Sequence, residues 1–537
     1  MAEKENQNSP SSSRRNFVKN TTIAATGLYI FPHYALTGNS LANDSSQNPT
    51  SVYYDEKLKP FYHGVASGDP LQNAVIIWTR LTPEKSNGPY EVNWQMAQDA
   101  AFSQIIKKGK ATTSAAQDFT IKADVTGLMP DTYYYYKFSW RGKDSVVGRT
   151  KTLPDSAEGP VRFITVSCNS YEGGYFNAYA RIAARSEKID AVLHLGDYIY
   201  EGFLEKYITK ADRVPLPKKE LVALNDYRIR YAQYRLDADL RNAHQMHPFI
   251  PIWDDHEIAN DSYATGAQSH NAQEEGHYKL RVVNAKQAFY EWLPIRKAKH
   301  LYRKISLGSL ADIFMLDERL EGRTEQKAVS DPEFNSENRA ILGEKQFDWF
   351  VQNLTQSKAK WKIIGNQVVF SEFDFSPVIK NGAERKSDQW DGYPYERQKL
   401  ISAFKANAIA NLVFLSGDSH CSWAFEIPDK SNSAGSLNHN QPLAVEFGTP
   451  SISSGNWDDS AQPGDNVQEW EKRLLQLPAN THLKYANIRE HGYLMLTLTQ
   501  DRAQVAYYYI NKDRRTNEER LANSFNVVAN TNKISFG

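Results

Sequence analysis

Residues Ile189 to Leu195 form an apolar, β-prone run broken only by Asp190 and His194, and it stops at Gly196-Asp197. Such a run reads as a buried strand of an α/β sheet. A carboxylate at its end stands at the carboxyl edge of that sheet, where α/β proteins place their ligands. Tyr200 follows three residues later, close enough for its phenolate to share a metal ion with Asp197. A Gly-Asp turn alone is common. Three further runs of the same kind make it a pattern.

Val161 to Ser167 leads into Cys168. His247 to Trp253 leads into Asp254-Asp255-His256-Glu257, with Asn260-Asp261 three residues on. Asn411 to Ser416 leads into Gly417-Asp418-Ser419-His420-Cys421. Four strands that end in Asp, His, Cys or Tyr point to a metal centre at a sheet edge. Asp418 and His420 are two apart, so an extended segment directs both side chains the same way. Carboxylates suit Ca²⁺, Mg²⁺ or Mn²⁺, whereas thiolate, phenolate and imidazole suit Fe or Zn. The mixed set predicts a multinuclear site with one softer and one harder metal, bridged by Asp197. A fifth run, Leu310 to Leu316, leads into Asp317-Glu318-Arg319. There the planar fork of Arg319 is a candidate phosphate clamp, against a structural arginine. His194 reads as a core histidine rather than a ligand.

At 537 residues the chain is too long for one ordinary core. Its formal net charge is zero, which excludes a polybasic nucleic-acid surface. Cys168 and Cys421 allow at most one disulfide, and that pairing would remove the Cys168 thiolate. Ser13-Arg14-Arg15-Asn16-Phe17-Val18-Lys19 matches the twin-arginine export pattern. With the weakly apolar run after it and the small residues around Ala42, it predicts a signal peptide over residues 1–42. The apolar run is too short and too polar to span a membrane. Twin-arginine export carries folded proteins, so a metal can be loaded while thiols are still reduced. The expected location is therefore periplasmic or extracellular.

Residues 43–56 read as a linker. Residues 57–155 hold short alternating strands and turns, which predict a small β-sandwich of fibronectin or immunoglobulin type. After a Pro/Gly linker, residues 161–515 alternate strands and helices, the βαβ pattern of a parallel sheet. Leu494 to Ile510 has the period-2 alternation of a hairpin. Residues 516–537 are expected to form a C-terminal tail.

With these residues in view, the chain resembles the PhoD-like alkaline phosphatase/phosphodiesterase family, a branch of the calcineurin-like metallophosphoesterases. The resemblance rests on Phe61 to Pro70, Ser167-Cys168, Gly196 to Glu201, Trp253 to Glu257 and Gly417 to His420. Where the wider superfamily has Asp, Asn-His and Gly-His-x-His, this chain has Cys168, Asp255-His256 and Gly417-Asp418-Ser419-His420, as the PhoD-like branch does. The resemblance implies a four-layer α/β/β/α sandwich behind the N-terminal β-sandwich. It implies Fe³⁺ held by Cys168, Tyr200 and His420, with Asp197 as bridge. It implies one or two Ca²⁺ held by Asp255, Asn260 and Asp418, the choice between Asp255 and Asn260 being open. Zn²⁺, Mn²⁺ or Mg²⁺ are possible substitutes.

The expected reaction is hydrolysis of small phosphate monoesters or diesters by metal-activated hydroxide, with His256 steadying the phosphoryl oxygens or protonating the leaving group. A phospholipase D-like or polymer-directed phosphodiesterase would use the same site. Two rivals differ in kind. Ser419 beside Asp418 could carry a phosphoserine intermediate. A secreted calcium-binding protein would explain the carboxylates, but not Cys168 and Tyr200 beside them.

Overall fold

The computed structural model describes residues 49–156, 159–203, 205, 208, 210–376, 378, 386–429 and 442–537. The expected signal peptide lies outside these residues, as do residues 43–48 of the expected linker.

Three parallel strands, Val161–Val166, Ala191–His194 and Pro248–Pro251, lie side by side at the centre of a ten-stranded sheet. Their side chains are buried almost throughout, which is why the sequence shows continuous apolar runs rather than alternation. A second, seven-stranded sheet has Ala311–Met315, Trp361–Asn366, Leu412–Ser416 and Ala444–Gly448 parallel at its centre.

Alternation along Leu412–Ser416 fixes the layers. Val413 and Leu415 join the core shared with the ten-stranded sheet. Leu412 and Phe414 pack under helices Gly343–Gln356 and Pro394–Ala406. Helices Asn177–Ala183, Leu224–Leu236 and Tyr278–Trp292 contribute to the core of the first sheet. The order is helix, sheet, sheet, helix, as expected. Phe414→Ala would open a cavity beneath both helices of the second layer and cost about 3–5 kcal/mol.

The N-terminal β region is less separate than its sequence suggests. Its strands Val65–Gly68, Ala74–Arg80 and Thr120–Thr126 extend the ten-stranded sheet, with Ser67 in parallel register with Pro248. Tyr90–Ala97, Ile105–Thr113, Tyr133–Trp140, Lys143–Asp144 and Gly148–Lys151 form the facing sheet. Their inward side chains make a core of their own. At the other edge, His491–Leu498 and Arg502–Ile510 form the expected hairpin. Residues 516–537, read above as a tail, carry two more paired strands, Arg520–Val528 and Ile534–Phe536.

Candidate metal centre

The central strands of both sheets end together, and the chain turns sharply after each. Cys168, Asp197, Asp418 and His420 all have positive φ, between 56° and 59°. Such values are uncommon for residues with a Cβ and concentrate at functional turns. Gly196, at φ 105°, is required by close packing: a Cβ there would lie 2.3 Å from the Asp254 Cβ. Glu257 ties two of the turns together. Its Oε2 accepts from the backbone N–H groups of Asp197 (3.0 Å) and Asp254 (2.9 Å), and its Oε1 from Tyr198 (2.7 Å).

On this frame the side chains fall into three overlapping groups. Cys168, Asp197 and His420 present donor atoms within 4.8 Å of one another. So do Asp197, Asp255 and His256, and so do Asp254, Asp255 and Asp418. Asp197 and Asp255 are each shared by two groups, the arrangement expected of bridging carboxylates. Tyr200 joins the first group, donating from its hydroxyl to Asp197 Oδ2 at 2.9 Å and lying 3.2 Å from His420 Nε2. The Gly455 carbonyl sits 2.6 Å from His420 Nδ1, which frees Nε2 to face the centre. Ser454 donates to Tyr200 Oη at 2.6 Å.

The electrostatics are those of a site short of positive charge. Burial, then Arg319 acting against it and Asp255 with it, leave the Asp254 carboxyl raised to about 8. Burial and Asp388 raise Asp418 to about 8. Burial pushes the Cys168 thiol well above its usual range, and Asp197 adds to this. Asp197 Oδ1, Asp254 Oδ2 and Asp418 Oδ2 are buried without a hydrogen-bond partner. An unpaired buried carboxylate oxygen is costly, and a cation satisfies it. By donor chemistry and by these orphaned oxygens, the residues fit bound metal ions.

His256, grouped with Asp197 and Asp255, also pairs with a further carboxylate, its Nδ1 2.6 Å from Glu201 Oε2. Burial opposes its charge, but Glu201, Asp197 and Asp255 outweigh this and hold the imidazole well above its usual range. Its ring packs on Tyr200, centroids 4.2 Å apart. The Asn260 N–H donates to Glu201 Oε1 at 2.6 Å, and its side-chain amide donates to Gln268 at 2.7 Å.

Arg319 has partners that its sequence position does not reveal. It is fully buried, and its fork is engaged by carboxylates: Nε with Asp254, Nη1 with Asp388 at 2.8 Å, and Nη2 with Asp418 at 3.1 Å and Asp255 at 3.5 Å. Arg323 shares Asp388.

Sequence reasoning missed Asp254 and Asp388. Asp254 was hidden by its neighbour Asp255. Asp388 lies in a loop with no strand before it. Both cysteines are free and buried, so the competing Cys168–Cys421 bridge is not formed. His194 is a core histidine, its Nε2 2.7 Å from Asn169 Oδ1. Ser419 accepts a hydrogen bond from the Trp423 indole at 2.9 Å; an indole N–H can donate but cannot take the proton that a nucleophilic serine must lose.

A two-sheet α/β sandwich with carboxylates, a thiol, a phenol and imidazoles gathered at its strand ends is suited to a metal-dependent hydrolase. Comparison with known proteins makes this specific. The family description PhoD-like phosphatase matches residues 163–507, and its N-terminal domain matches residues 47–154. Alkaline phosphatase D of Bacillus subtilis (strain 168) is 36% identical over 475 residues, 83% of this chain and 77% of that protein. A solved structure of PhoD superposes with a TM-score of 0.78 at 31% identity, over 89% of this chain and 92% of that one. The chain belongs to the PhoD-like phosphatase family.

Proposed function

We propose that this protein is an exported alkaline phosphatase/phosphodiesterase that hydrolyses small phosphate monoesters or diesters at an Fe³⁺/Ca²⁺ centre. Membership of its family makes it a phosphoester hydrolase. The observation that carries the rest is the division of the donor set. Cys168, Tyr200 and His420 gather with Asp197, Asp254 and Asp418 gather with Asp255, and Asp197, Asp255 and His256 link the two. The first set suits iron and the second calcium. Asp254 joins the expected harder-metal ligands, and Asn260 stands beside them through Glu201. Zinc, manganese or magnesium are the substitutes the same donors would accept.

When bound, the cations neutralise the phosphoryl oxygens and make a water acidic enough to attack near neutral pH. Around them the chain's own groups act. His256, held charged by Glu201, can donate from its free ring nitrogen to a phosphoryl oxygen or to the leaving alkoxide. Glu201 orients that ring and so positions the proton. Arg319 holds Asp254, Asp255, Asp388 and Asp418 in place, and any direct contact with substrate would require its fork to change partners. The twin-arginine motif supports export to the periplasm or beyond. Among the described residues no helix is long and apolar enough to cross a membrane.

The test pairs elemental analysis of the purified protein with hydrolysis of p-nitrophenyl phosphate and bis(p-nitrophenyl) phosphate at alkaline pH. Iron near about one per chain with calcium present, and turnover lost on chelation, supports the assignment. Zinc alone, in a fully active enzyme, would overturn the iron site.

A further inference from the structure

Among the described residues, three lysines are less than a tenth exposed: Lys151, Lys386 and Lys512. Two have anionic partners. Lys151 pairs with Asp131 and Asp190, and Lys512 with Asp459. Lys386 does not. It is 5% exposed, and among the described residues neither an ion pair nor a hydrogen bond meets its ammonium. Instead the ammonium lies 4.9 Å from the centre of the Phe375 ring and 5.6 Å from that of Trp457. Those two rings are themselves stacked, 5.7 Å apart at 20°.

The aromatic faces tolerate a cation without neutralising it. Two sequence neighbours lead from Lys386 and its aromatic partner to the metal centre. Trp457 follows two residues after Gly455, whose carbonyl meets His420. Asp388, which grips Arg319 and Arg323, lies two residues beyond Lys386. Burial pushes the Lys386 amine down to about 7, and the charges that oppose this are those of Asp418, Cys421 and Asp388. The chain therefore keeps a buried amine without an acceptor, charged below about pH 7, in a segment that leads to its metal centre.

We propose that Lys386 is a substrate-binding residue whose ammonium takes a non-bridging oxygen of the phosphoryl group and favours doubly charged monoesters over singly charged diesters. This rests on the phosphoester hydrolase reading above. A lysine recognises phosphate as a compact point charge. Above its second pKa of about 6 a phosphate monoester carries one more negative charge than a diester, so an unpaired ammonium discriminates between them.

The test uses the metal-loaded enzyme, Lys386→Met and Lys386→Arg. Inorganic phosphate affinity is measured by titration calorimetry at about pH 6.5, below the amine's pKa of about 7 and above the monoester's second pKa of about 6. The kcat/KM for p-nitrophenyl phosphate and for bis(p-nitrophenyl) phosphate is measured beside it. Lys386→Met should weaken phosphate binding about tenfold or more and lower the monoester kcat/KM about as much. The diester value should fall less than about threefold, and Lys386→Arg should recover most of the loss. Metal content and melting temperature matching the parent identify a loaded, folded variant; if Lys386→Met fails these checks, Lys386→Gln carries the same comparison. Unchanged phosphate affinity, or equal losses on both esters, would overturn the proposal. A parent enzyme that turned over neither ester would sink the hydrolase reading instead, while the phosphate titration would still decide the role of Lys386.

Discussion

Two of the molecule's clusters of buried charge are balanced differently. At the junction of the N-terminal β region with the central sheet, Lys151 lies fully buried between Asp131 and Asp190, and Lys188 takes the other oxygen of Asp131. Asp190 Oδ2 is satisfied by the Arg162 N–H at 2.8 Å. Cations and carboxylates match there. At the strand ends, Asp254, Asp255, Asp388 and Asp418 share two guanidiniums, Arg319 and Arg323, and one oxygen each of Asp254, Asp418 and neighbouring Asp197 has no hydrogen-bond partner. The first cluster is complete as protein and serves structure. The second leaves oxygens that bound cations would satisfy, and on the function proposed above it serves chemistry. Buried charge by itself separates neither; the unsatisfied remainder does.

The largest expected effect lies in the second cluster. Asp197→Ala should lower kcat/KM for p-nitrophenyl phosphate by about 10³-fold or more, because several kcal/mol of transition-state stabilisation depend on the bridged cations. The folded state should survive, as judged by circular dichroism. His256→Asn should cost about 10²-fold, chiefly in kcat, with metal content unchanged. An equal loss of metal would instead make His256 a ligand.

The first cluster should respond in stability and not in turnover. Lys151→Met leaves Asp190 buried without its cation and should cost about 3–5 kcal/mol, read by denaturant melts, with kcat unchanged in the folded fraction. The two clusters should also part in their pH dependence. Asp254 and Asp418, raised to about 8 in the metal-free fold, bind protons there that the unfolded chain has released. Their contribution is therefore full below the ordinary carboxylate range, near pH 4, and is lost as pH rises through about 8. The melting temperature of chelated protein should fall across that window, and Asp418→Asn should raise it at pH 9. Metal-loaded protein should show neither effect. The smallest effect belongs to the exposed side of the junction, where Lys188→Ala should cost under about 1 kcal/mol.

What the sequence reveals of this site follows from geometry. Cys168, Asp197, Asp418 and His420 are legible because each ends or follows an apolar run, and strand ends gather at one sheet edge. The layers are not legible in the runs themselves: the resemblance implies them, and only the structure shows neighbouring side chains of Leu412–Ser416 entering different cores. Asp254 is not, because which of two adjacent aspartates faces a centre depends on the turn after the strand, here held by Glu257. Asp388 and the partners of Arg319 are invisible, since their contacts reach 65 to 99 residues along the chain. The pairing of Val65–Gly68 with Pro248–Pro251 escapes for the same reason: local pattern predicts a strand but does not name its neighbour. Residues 516–537 look like a tail because edge strands are polar on their open faces.

The most direct test follows turnover of p-nitrophenyl phosphate while metal is withdrawn stepwise, with iron and calcium per chain measured at each step. Activity should fall to nothing as the centre empties, and should return when iron and calcium are restored. Undiminished turnover by a protein shown to hold no metal would contradict the claim that the unsatisfied carboxylates at the strand ends are a cation site.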